Sequence, residues 1–320
     1  MRRVLFLSSF PPFLLREKSS SIHIDEAMNA LSSLLIDTKN LESSLAKNSL
    51  SLQWCLEATN LLKKIHFQFL DIFQKSEVPK FWDGGNYLDE YMEESLNILD
   101  FCNALRSAIS IMDSYRLIVD VVVRRFSDEG YSGSTMNMTE IEKLESEWQK
   151  LYGIENWKVV NLYKTGRPKT KTRDDKFCAS YAVRRTMNIV CSLLFSAIFY
   201  PDLIQVDEEV YGDFSQLKLF SSSLRKLVCC FFEERRGFKD NSRPVLAETK
   251  MVGSAVEDLK VQMLKGVALN KETLGKSIDS LQNSSLALKE GLEMFDSVVN
   301  ELFQEVVKGR NKILAMVASS

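Results

Sequence analysis

From Leu281 to Ile313 the apolar side chains fall at alternating steps of four and three: Leu281, Leu288, Leu292, Phe295, Val299, Leu302, Val306 and Ile313. That spacing predicts an amphipathic helix with a coiled-coil-like seam, in which Ser285 and Gly309 fill the two weak positions. No proline occurs between Leu246 and Val317. The phase slips between Met263 and Leu274, where "KGVALNKETLG" offers Gly266, Gly275 and a cap at Asn270. Two outcomes stay open: a helical hairpin, or one rod spanning roughly 100 Å at the helical rise.

Upstream, Met28, Leu31, Leu34, Leu35, Leu41 and Leu45 recur at helical spacing over 22–47, and Leu52, Leu56, Leu61, Leu62, Ile65, Phe69 and Phe73 do so over 50–75. The polar stretch between them predicts an αα-hairpin. A third helix starts at the N-cap Asn86, with Asp89 three residues on, and runs to Phe126 without a breaker. Further helices are predicted over 140–152, 177–199 and 215–236, and "KVVNLY" reads as a short strand or extended segment. Prolines at 11, 12, 79, 168, 201 and 244 mark the breaks. The fold class is all-α: an elongated antiparallel helical bundle occupying 22–317 as a single domain, preceded by an apolar, Ser-rich tail over 1–21.

The third helix opens with five carboxylates and a cysteine in "YLDEYMEESLNILDFCNALRS". At about 100° per residue from Leu99, Leu88, Tyr91, Met92, Ile98, Cys102, Leu105 and Ile109 share one broad arc. Asp89, Glu93 and Asp100 lie opposite, with Glu90 and Glu94 at the margins. Di-iron bundles pair such acids with Glu-x-x-His motifs, which this chain lacks. The acids crowd the first turns, where the helix dipole favours them, so they read as a solvated face. Asn103 and Arg106 fall at the edge of the apolar arc, where polar groups fix register by hydrogen bonding across a bundle.

Composition narrows the field further. Hydrophobic residues make up 45% of the 320-residue chain and charged residues 26%, which suits a well-buried core. A net charge of −2 supplies no global field toward nucleic acid or anionic lipid. Six cysteines and two histidines, His23 and His66, show no ligand spacing for zinc. The cysteines read as reduced, small hydrophobes in an intracellular compartment, Cys102, Cys191, Cys229 and Cys230 lying within apolar helical patterns. Neither histidine sits beside a nucleophile motif, and Gly84-Gly85 lacks the strand and lysine of a phosphate loop. No catalytic residue, cofactor or metal is expected.

Two stretches invite partners. "KTGRPKTKTRDDK" places Lys164, Arg167, Lys169, Lys171 and Arg173 in one loop that suits an acidic partner or lipid headgroups. No aromatics are interleaved for base stacking, which argues against nucleic acid. "MNIVCSLLFSAIFY" follows Arg184-Arg185 and is shorter than a span unless extended to 187–204; it reads first as a buried core helix and second as a membrane segment. The N-terminal stretch, with two prolines in its apolar run and no acid before Glu17, reads as a loose tail or, alternatively, an organelle transit peptide.

Around "YLDEYMEESLNILDFCNALRSAIS" the chain resembles the plant BYPASS family. The likeness rests on Tyr87, Asp89-Glu90-Tyr91, Glu94-Ser95 and above all Leu99, Asp100, Cys102, Asn103, Leu105 and Arg106 in "LDFCNALR". The closing stretch "VVNELFQEVVKGRNKIL" is similar to the family's last helix, with Asn300, Glu301, Leu302, Phe303, Gly309, Arg310 and Leu314 in place. Tyr87 stands where the family has tryptophan. The resemblance implies a plant developmental protein supporting root and shoot growth by restraining a mobile root-to-shoot signal. It implies no catalytic residues, and for some relatives a single membrane span.

The functional expectation is therefore a non-enzymatic regulatory or adaptor protein with protein partners. Its expected location is cytoplasmic or membrane-associated (endoplasmic reticulum or plasma membrane), with plastid targeting as a further option. A membrane-associated factor in vesicle traffic is the alternative, and an enzyme acting on a small hydrophobic signal is the second.

Overall fold

The α1–α2 turn shows how the chain builds its hairpins. Helix α1 (Arg16–Asn48) ends where Ser49 takes a positive φ of 53°. Ser51 then accepts the Trp54 amide at 3.3 Å as the N-cap of α2 (Leu52–Lys75). An L-residue in the left-handed region is disfavoured by about 1 kcal/mol relative to glycine. Ser49→Gly is therefore expected to raise stability by about that amount, read as a higher urea midpoint at unchanged slope.

The computed structural model describes residues 16–75, 86–128, 134–152, 175–199, 217–236, 246–264 and 271–318. Among them are eight helices and no strand. After α1 and α2 come α3 (Asn86–Asp128), α4 (Ser134–Tyr152), α5 (Asp175–Phe199), α6 (Leu217–Arg236), α7 (Ala247–Leu264) and α8 (Lys271–Ala318). The all-α expectation holds. α7 and α8 are separate helices packed on one another, so the continuous rod gives way to a hairpin.

Of the expected tail, Arg16–Ser21 already belong to α1, and 1–15 lie outside the described residues. So do "KVVNLY" and the basic-loop residues Lys164, Arg167, Lys169, Lys171 and Arg173.

The seam of α8 is the spine of the core. All eight of its large apolar residues are at most 2% exposed. Ser285, one of the weak positions, donates from Oγ to Asp120 Oδ1 of α3 at 2.6 Å. Asp120 and Asp113 in turn hold the buried Arg116 guanidinium at 2.5 and 2.6 Å. α8 packs on α3, α2 and α7, while α1 and α5 cover the far side of α2.

Two pairs adjacent in the chain run antiparallel: Trp54 and Lys64 of α2 meet Leu41 and Asp37 of α1, and Tyr115 and Arg125 of α3 meet Trp148 and Glu140 of α4. Two pairs distant in the chain run parallel instead. Along α2 and α8, Leu52 lies at Gly291, Lys63 at Glu301 and His66 at Gly309. Along α3 and α5, Glu94 meets Arg184 and Cys102 lies near Cys191.

The two hairpins are clasped at one end. Both carboxylate oxygens of Glu248, in the first turn of α7, accept the Leu52 amide at 3.0 and 3.1 Å. The Ala247 amide donates to the Leu50 carbonyl at 2.8 Å. One helix start thus caps another across 196 residues of sequence.

Ala182–Phe199 of α5 is long and apolar enough to cross a membrane by length and composition, yet 78% of it is buried inside the protein. Thr186 and Ser192 return their hydroxyls to backbone carbonyls one turn back, and Ser196 accepts from buried Arg235 at 2.8 Å. Such internal satisfaction suits a core helix. Residues 200–204 of the expected segment lie outside the described residues.

Candidate functional site

Gly309 permits a close approach between helices. A Cβ there would stand 2.7 Å from Tyr91 Oη and 2.9 Å from His66 Cε1. Both rings are buried, with Tyr91 Oη 3.4 Å from His66 Nε2 and the Phe69 ring tilted against Tyr91 at 5.7 Å between centroids. Burial pushes the His66 imidazole down to about 4, partly offset by the Glu305 carboxylate, and pushes the Tyr91 phenol up to about 12. Both side chains are therefore neutral packing groups at pH 7.

Gly309→Ala is expected to cost about 1–2 kcal/mol through overpacking, net of the helical gain from alanine. Gly291→Ala should cost less, because its Cβ meets the flexible end of Leu52 at 2.7 Å and the Leu52 Cβ, which must give by a few tenths of an ångström, at 3.2 Å. Thermal unfolding of the two variants side by side checks the contrast.

Next to Gly309, Arg310 donates to the Met92 carbonyl at 2.6 Å and to Ser95 Oγ at 2.5 Å. Two to three turns back along α8, Arg106 Nη2 donates to Asn300 Oδ1 at 2.5 Å and its guanidinium lies 4.5 Å over the Phe303 ring. Arg310 and Arg106 thereby join α3 to the later half of α8.

The other motif residues divide by burial. Cys102 and Leu105 are buried, Leu99 and Arg106 are half-buried, and Asp100 is exposed. Asn103 is exposed, contrary to its placement at the edge of the apolar arc. The true centre of the buried face runs through Ile98, Phe101, Cys102 and Leu105, about 100° away from Leu99. That shift turns Asn103 to water and brings Glu94 inward. Glu94 is 9% exposed and accepts from Arg184 Nη2 and Nε at 3.0 and 3.2 Å. Asp89, Glu93 and Asp100 stay on the water side.

Among the described residues, no group of three His, Cys, Asp or Glu is placed to hold a metal ion. Burial lifts the thiols of Cys55 and Cys191 well above their ordinary range and Cys102 up to about 12. Neutral thiols are poor nucleophiles and poor ligands. Cys229 departs from the expected pattern: it is exposed on α6, because the apolar face there runs through Leu224, Leu227, Val228 and Phe231.

His66 and Gly309 floor an open groove of about 770 Å³ between the parallel helices α2 and α8. Lys63 and Lys64 line it from α2, and Lys308 and Lys312 from α8, with Glu301 and Glu305 between them. Lys63 pairs with Glu301 at 2.6 Å and Lys308 with Glu305 at 2.8 Å. Phe67 projects into it with 67% of its surface exposed. Nothing in the sequence reading marked this groove. Its signal was Phe67, an aromatic standing off the apolar face of "LLKKIHFQFL".

The chain is similar to UPF0496 protein 4 of rice (Oryza sativa subsp. japonica) and to UPF0496 protein 4 of subsp. indica. Each is 26% identical over 133 residues, which cover 41% of this chain and 29% of the relative. The chain thus matches under a third of those relatives' length. No family model matches, and no solved structure does. The likeness is to plant proteins whose names state no activity. Asn300, Glu301 and Gly309, all within the closing stretch, line the groove, and Asn300 is held by Arg106 of the other resembling stretch.

Proposed function

We propose that this chain is a non-enzymatic adaptor in plant development, related to the BYPASS proteins that restrain a mobile root-to-shoot signal, with the α2–α8 groove as its docking surface. One observation carries the reading. The two stretches that resemble that family, some 200 residues apart in the chain, pack on one another through Arg106–Asn300 and Arg310–Ser95, at the groove's edge. The buried His66, Cys55, Cys102 and Cys191 are held neutral, which supports a packing role for the groups that would otherwise suit catalysis. Free thiols at five described cysteines suit a reducing, intracellular location.

Proximity labelling in plant cells tests it, using the wild type and a Lys63→Glu/Lys308→Glu variant in lines lacking the protein. The variant should lose a defined set of neighbours and fail to restore root and shoot growth. Identical neighbour sets and full rescue would remove the groove from the function.

A second reading is a membrane-associated factor in vesicle traffic, favoured by the apolar character of Ala182–Phe199. Pelleting with membranes that resists high salt would support it over the first.

A further inference from the structure

We draw no further inference here: the strongest candidate, the open groove between α2 and α8 into which exposed Phe67 projects, has its four lysines already engaged within the chain, and nothing in the structure shows what covers it.

Discussion

Trp54→Ala is expected to remove about 4 kcal/mol of folding stability, near the upper end of what one core truncation costs. The indole is fully buried. Its Nε1–H donates to the Leu41 carbonyl of α1 at 3.3 Å, and its ring lies 5.7 Å from Phe231 of α6. One side chain therefore joins three helices. Alanine leaves a cavity and removes a second hydrogen bond from a carbonyl that keeps its place in the α1 ladder, so the cavity is the main penalty. Trp54→Phe keeps most of the volume and loses the donor, and should cost only about 1–2 kcal/mol. Urea unfolding of the three proteins at constant slope measures both differences. A loss below about 1 kcal/mol for alanine would mean the α1–α2–α6 junction closes on itself without the indole.

A second large effect is expected from acid. The folded protein holds His66 near a pKa of about 4, against 6.5 for an unperturbed imidazole. Between those values the unfolded chain binds the proton and the folded chain does not, so stability rises with pH through that window and falls as acid is added. The contribution is fully present above pH 6.5. Over 2.5 units it amounts to about 3 kcal/mol. Burial is the main cause; the Glu305 carboxylate at the groove pulls the other way, so removing it should deepen the loss. His66→Gln has no imidazole to titrate. Subtracting its stability-against-pH curve from that of the wild type isolates the histidine from the carboxylates, which also protonate below pH 5. Parallel curves between pH 6.5 and 4 would show that the site opens to water.

Much of the architecture was legible because its signals are local. The eight-residue seam of α8 is entirely buried, and even its gaps were informative. Ser285 and Gly309 were weak as hydrophobes because other elements meet the helix there: Asp120 bonds to one, and Tyr91 with His66 presses on the other. The start of α3 at Asn86 was readable from its cap. Errors came from phase. The arc drawn from Leu99 as origin reached too far toward Met92, which put Asn103 at its edge and left Glu94 at a margin, although the helix points Glu94 at Arg184. Trp54 was missed because the aliphatic spacing of α2 runs through Leu52 and Leu56, and the aromatic between them faces α1 and α6. The groove was beyond reach of periodicity. It exists because α2 and α8 run side by side in the same direction, and no window of sequence contains both.

The Glu248 clasp has a temporal side. During synthesis the α1–α2 hairpin leaves the ribosome well before the segment that finishes it, because the carboxylate that closes the α2 start is encoded 196 residues later. At about 5–20 residues per second, the hairpin waits on the order of 10–40 s with its inner surface uncovered. In that interval the uncovered surface is open to chaperones, and truncation before α7 is expected to leave it exposed to self-association, read as a sedimenting species.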